Sequence, residues 1–185
     1  RLGLIDVAAV VHFADVVRTF VGDRPDVELT VSVAPSAELL RDLRGGTLDV
    51  VVCVDPPGGH DGLTLERLLD EPLMVIAPPN VSIGPPRTWG PWVTFPEGSH
   101  TRHLIVEHLR HRGAPIVVAA ESHQPDVLAQ MARLGLGWTV LPAHSLPDDV
   151  SVGPELAQRR LVLARRANSV TDPAADELAD RLSER

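Results

Sequence analysis

Four histidines crowd one short stretch: His100, His103, His108 and His111, with Glu107 among them. A helical zinc site needs ligands one turn apart on one face, with a carboxylate placed as base. Here three residues separate His103 from the pair Glu107-His108, one more than the inverted His-x-x-Glu-His pattern allows. The four rings also spread around a helix, so the reading is a polar exposed face and no metal. Cys53 is the single cysteine and lies inside the apolar run Leu48 to Val54. A buried thiol keeps its proton, and a lone one has no partner for a disulfide or a redox cycle. Gly135-x-Gly137 follows a helix signal rather than a strand, which is not the dinucleotide arrangement. The chain contains neither a P-loop nor a Gly-x-Ser-x-Gly nucleophile elbow. Trp89 and Trp92 lack a neighbouring basic groove and read as packing rather than as a platform for nucleic-acid bases. No acid–base or nucleophile constellation converges, so a binding module is expected, with no catalysis and no cofactor.

Bulk properties point the same way. The 185 residues suit one compact unit or two small lobes with a real core. The formal charge of -8 repels phosphate, so this chain alone is expected to bind DNA poorly. All basic residues are Arg and Tyr is absent, a skew attributed to base composition of the genome rather than to mechanism. One cysteine fits the cytoplasm. No apolar run approaches the roughly 20 residues that span a bilayer, and residues 1–11 lack a secretory pattern, so no membrane association is expected. The chain opens on a strand signal without an initiator Met, and a natural segment is expected upstream.

Strand and helix signals must position whatever binds. Leu2 to Ile5 reads as an apolar strand. Phe13, Val16, Val17, Phe20 and Val21 share one helix face, stopped by Gly22 and Pro25. Val27 to Val33 alternates strictly and predicts a half-buried strand with its valines and Leu29 inward. Ser36 is expected to cap a helix with Leu39, Leu40 and Leu43 inward. Leu48 to Val54 predicts a strand covered on both faces, completing a βαβαβ opening. After a Pro- and Gly-rich loop, Leu73 to Ala77 reads as a strand. Trp92 to Phe95, Pro115 to Ala119 and Trp138 to Leu141 read as further strands. Between them lie helices near Thr101 to Arg112 and Asp126 to Leu134. Arg160 to Ala164 reads as a last strand, and Asp172 caps a last helix begun by Pro173. The fold class is therefore α/β, with residues 1–77 opening one lobe, 78–141 forming a second and 142–185 returning to the first.

Read in order, the segments resemble the sensor domain of LysR-type transcriptional regulators. The resemblance rests on Arg1-Leu2-Gly3-Leu4-Ile5, Gly46-Thr47-Leu48-Asp49, Glu71-Pro72-Leu73-Met74-Val75-Ile76, Gly98-Ser99-His100-Thr101-Arg102 and Gly135-Leu136-Gly137-Trp138-Thr139-Val140-Leu141-Pro142. It covers nearly the whole chain. It implies a periplasmic-binding-protein type II-like fold of two Rossmann-like lobes joined by two crossing strands, with a small effector in the cleft between them. Ligands in such sheets lie beyond the carboxyl ends of strands, near helix N-termini that favour a carboxylate. Carried over, the candidate ligand-binding residues are Asp6, Val7, Ser36, Ser99, His100, Thr101, His123 and Gln124, with Ser122 beside them. Capping alone explains a Ser at 36 and an Asp at 6, and His100 and His123 also fit solvated loops. Asp6 departs from the small or hydroxyl residue usual there; it would repel an anionic effector and favour an amine or hydroxyl donor.

The implied partners are a small-molecule effector, a second copy or three more in a homodimer or homotetramer, and promoter DNA only through a helix-turn-helix outside this chain. The helix from near His12 to Val21 is the implied dimer surface. A transport solute-binding protein of the same fold is the alternative, and a helix-turn-helix or a secretory signal upstream would separate the two.

Overall fold

A computed structural model of the protein describes all residues except 60, 147–149, 168–171 and 185. The chain divides into two compact units, Arg1–Leu69 with Arg160–Arg185, and Asp70–Arg159.

In the first unit, β1 (Leu2–Leu4) is followed by a π-helical turn over Ala8–His12 and by α1 (Ala14–Asp23). Then come β2 (Val31–Val33), α2 (Ser36–Arg44) and β3 (Val50–Val54). The long strand β4 (Leu63–Ala77) leaves this unit at Leu69. β1 lies between β2 and β3, parallel to both, with Leu4 opposite Val33 and Val52. β3 is in turn antiparallel to the last strand, with Val52 opposite Leu163. All five β3 residues are buried, as an apolar run covered on both faces requires. Helix faces complete the core: Phe20 from α1, and Leu39, Leu40 and Leu43 from α2. Each such side chain contributes about 1.5–3 kcal/mol when fully buried.

The second unit contains the rest of β4, β5 (Trp92–Thr94), α3 (His100–His111), β6 (Val118–Glu121), α4 (Pro125–Arg133) and β7 (Thr139–Pro142). It also contains the start of β8 (Ser151–Arg166), which enters the first unit at Arg160 and leads to α5 (Pro173–Ser183). β4 is antiparallel to β7, with Val75 opposite Val140. β5 is parallel to β6, and Trp92 also bridges to Trp138. Ile105, Leu109 and Leu128 bring α3 and α4 onto a core shared with Leu73, Val93 and Leu141. The three indoles group there, Trp89 and Trp138 stacked at 6.0 Å and Trp92 tilted 6.3 Å from Trp138. Two of their indole N–H groups donate to backbone carbonyls, Trp89 to Gly84 at 2.9 Å and Trp92 to Pro115 at 2.7 Å. They are packing residues, as the lack of a basic groove suggested.

Two glycines explain the Gly135-Leu136-Gly137-Trp138 signature. Gly135 has φ +79°, the left-handed conformation that ends α4. At Gly137 a Cβ would meet the Pro91 carbonyl oxygen at 2.6 Å, because Trp138 N–H donates to that same oxygen at 2.7 Å.

Several expectations are corrected. The alternation of Val27 to Val33 does not form one half-buried strand: only Val31–Val33 is strand, and Val31 and Val33 are exposed while Val27 and Leu29 pack on the core. β2 is the outermost strand of its order and, among the described residues, pairs with β1 alone. Ser36 does not cap α2; Pro35 holds the cap position and Ser36 is the first helical residue. Val21 is exposed rather than inward. The expected strand Pro115 to Ala119 lies later, at Val118–Glu121. The strands expected at Leu73 to Ala77 and Arg160 to Ala164 are the inner parts of much longer ones. The division between units falls inside these two long strands, at Leu69–Asp70 and at Arg159–Arg160. Within the segment expected to return to the first lobe, 147–149 lie outside the described residues.

Candidate functional site

In the first unit, the parallel strands β1, β2 and β3 end together: Ala34 N–H donates to the Leu4 carbonyl, and Ile5 N–H to that of Val52. Asp6, Val7 and Ser36 follow at this edge. Val7 is buried, and Asp6 is half-buried and accepts from the Val7 N–H at 2.8 Å. The Ser36 hydroxyl is buried and accepts from the Val54 N–H at 3.2 Å. Ser36 thus ties the start of α2 to the end of β3.

The second unit repeats the arrangement with β5 and β6, whose carboxyl ends lead to α3 and α4. Ser99 caps α3, its hydroxyl accepting from Arg102 N–H at 3.4 Å. His100 is half-buried, and Thr101 is buried in the first turn. The Ser122 hydroxyl accepts from Gln124 N–H at 3.1 Å, while His123 and Gln124 are exposed. The candidate residues therefore form two groups, one at each unit's strand ends. Helix N-termini there present unpaired N–H groups and partial positive charge.

Sequence reasoning overlooked a buried pair in the second unit. Arg159 of β8 donates through Nε to Glu71 of β4 at 2.5 Å and through Nη1 to the Thr101 hydroxyl at 3.3 Å. Both charged side chains are only 3% exposed. Glu71 also lies 3.3 Å from His144 Nδ1. Arg159 sits in Gln158-Arg159-Arg160, which reads as solvated polarity. The available signal was its register: it alternates with Ala157, Leu161 and Leu163, all buried.

Other polar residues are structural. Asp49 of the Gly-Thr-Leu-Asp motif accepts from Arg1 Nε at 3.0 Å and Nη2 at 2.8 Å, and from Arg166 Nη2 at 3.3 Å. The Arg1 hydrogen bonds, with help from Arg166, hold its carboxyl well below the usual carboxylate range. Arg166 also donates to the Leu43 carbonyl at 2.8 Å and to that of Leu48, joining the end of α2 to β8. Burial pushes the Cys53 thiol up to about 12, with Asp55 adding to the shift. In the histidine-rich helix, His103 and His111 are exposed, and the His108 and His111 rings meet edge-on at 6.4 Å. Among the described residues, no helix is long and apolar enough to cross a membrane.

The family model for the LysR substrate binding domain matches residues 1–185, and the chain belongs to that family. An uncharacterized HTH-type transcriptional regulator, YfeR of Shigella flexneri, is 27% identical over 170 residues, covering 84% of this chain and 54% of its own. The chain spans about half the length of the regulators it matches. The regulatory domain of CcmR from Synechocystis PCC6803, solved in complex with 2-PG, superimposes with a TM-score of 0.84 at 20% identity, covering 100% of this chain and 95% of that one. The effector binding domain of QuiR in complex with shikimate gives 0.81 at 16% identity, with 99% and 94% covered. The fold is accordingly the periplasmic-binding-protein type II-like fold of LysR regulatory domains, and the solute-binding alternative is not favoured.

Proposed function

We propose that this domain senses a small molecule for a longer DNA-binding regulator and catalyses no reaction. The observation that carries the reading is the clustering, at the strand ends of each unit, of hydroxyl and imidazole groups with the starts of α2, α3 and α4. In the first unit the effector contacts are Asp6, Val7 and Ser36; in the second they are Ser99, His100, Thr101, His123 and Gln124. Effectors carried by QuiR and CcmR domains of the same fold support the reading. An effector acts by binding one conformation better than another, and a coupling of about 1–3 kcal/mol is a regulatory response. The whole regulator works in the cytoplasm as a homodimer or homotetramer. Its helix-turn-helix, outside this chain, engages promoter DNA. Exposed Val10, Val11 and Val21, on and before α1, supply apolar surface for the subunit contact.

A thermal-shift screen of aromatic acids, amino acids and sugar acids tests this. At 100-fold excess over Kd, a true effector adds about 2.7 kcal/mol of stability. Ser36→Ala and His100→Ala should each weaken its binding. Unchanged affinity in both variants would refute the assignment of these residues.

A further inference from the structure

The π-helical turn over Ala8–His12 is a rare backbone form, found mostly at functional sites. It ends at His12, and Phe13 follows as the residue before α1. These two rings meet edge to face, with centroids 6.1 Å apart and planes at 66°. They also line a cavity of about 270 Å³, whose other lining residues are Leu68 and Leu69 of β4 and Leu182 of α5. All five belong to the first unit. Phe13 and Leu182 are core side chains, each 1% exposed, whereas His12, Leu68 and Leu69 are half-buried. Close-packed interiors leave few voids larger than a water molecule. A dry hole of roughly 150 Å³ lined by leucine and phenylalanine already holds benzene. The cavity beside the π-turn is larger, and its lining is of the same kind.

We propose that this cavity is a second ligand site, which takes a small uncharged aromatic molecule of one ring. Its lining holds no Asp, Glu, Lys or Arg, so a charged guest would lose hydration there without a fixed counter-charge. The rings of His12 and Phe13 already stand edge to face, and a third ring extends that arrangement in a geometry aromatic groups prefer. The three leucines supply the apolar surface that covers the rest of the guest. Leu69 is the last residue of β4 in the first unit, so a guest here joins the π-turn, β4 and α5. By binding the folded unit alone it stabilises that unit by mass action. None of the residues assigned to the effector lines the cavity, so this site stands or falls independently of the effector contacts.

The test uses the 185-residue chain carrying ¹³C-labelled leucine methyl groups. Leu68→Ile, Leu69→Ile and Leu182→Ile each assign one residue's resonances by their loss. Benzyl alcohol, its charged counterpart benzoate and its saturated counterpart cyclohexylmethanol are titrated separately at constant ionic strength. The expected result is a saturable shift of the three assigned residues with benzyl alcohol. Benzoate should bind there at least about tenfold more weakly, and cyclohexylmethanol about two- to tenfold more weakly. Leu68→Trp, which fills the cavity from a half-buried position, should weaken benzyl alcohol binding at least about tenfold. Resonances unmoved by benzyl alcohol, equal binding of benzoate or cyclohexylmethanol, or unchanged affinity in Leu68→Trp would each overturn the proposal. If Leu68→Trp does not fold, the three titrations of the unaltered chain decide. Resonances that already shift as the chain alone is concentrated would show that a second copy fills the cavity, which also overturns it.

Discussion

Gly137→Ala should destabilise the second unit by about 2–4 kcal/mol. The new Cβ would stand 2.6 Å from the Pro91 carbonyl oxygen and 3.4 Å from a Val93 methyl. The oxygen belongs to backbone, so a side-chain rotation cannot relieve the contact. Either the strand moves, at the roughly 1–3 kcal/mol typical of overpacking, or the Trp138 N–H to Pro91 hydrogen bond breaks, at about 0.5–1.5 kcal/mol. Both together sum to about 1.5–4.5 kcal/mol, which brackets the stated range. Trp89, Trp92 and Trp138 are the only tryptophans, and all lie in the second unit, so indole fluorescence during urea unfolding reads that unit directly. At about 2–4 °C per kcal/mol for a chain of this size, the thermal midpoint of the same signal should fall by about 4–16 °C. A loss under about 0.5 kcal/mol would refute the claim that close backbone approach, rather than turn geometry, demands glycine at this position.

Three other outcomes follow from the polar residues. Asp49→Asn should cost about 1–2 kcal/mol at neutral pH, kept low because Arg1 is half-exposed and water screens it. The Asp49 carboxyl is held below its ordinary value, so its contribution is full above an unfolded pKa of about 3.9 and fades as pH falls lower. Urea titrations should therefore show the wild-type advantage shrinking below about pH 4. Cys53, with its thiol near 12, should react with a disulfide reagent at pH 8 far more slowly in the folded chain than in urea. Its contribution to stability is whole below its unfolded pKa of about 8.5 and declines as pH rises toward 12. Glu71→Gln should cost about 3–5 kcal/mol by leaving Arg159 buried without its counter-charge, whereas the double variant Glu71→Gln/Arg159→Gln should cost less, as a fluorescence-detected double-mutant cycle would reveal.

Sequence periodicity located the helices well because their apolar faces are wide: Leu39, Leu40 and Leu43 face inward as their spacing requires. The strand Val27 to Val33 misled because alternation signals a pleat without saying whether a neighbour covers it, and β2 is outermost. The long strands β4 and β8 were read short because Arg67, Asp70 and Gln158 interrupt their apolar pattern, although backbone pairing tolerates them. The start of the last helix was legible from Asp172 and Pro173. The role of Ser36 was not: a hydroxyl at a helix start reads as a cap, and only the fold brings the Val54 amide to it. The Arg159–Glu71 pair joins residues 88 apart in sequence, a separation that no local pattern encodes.

The valines of β2 have a practical consequence. Val31 and Val33 are exposed on a strand that, among the described residues, pairs on one side only, and neither lysine, proline nor any charge interrupts Val31-Ser32-Val33. Natural sheets deter adhesion between such margins with those very residues. Concentrated solutions of this chain are therefore exposed to growth by strand addition while the rest of the molecule is still folded. A lysine at position 32 is the least invasive guard against it.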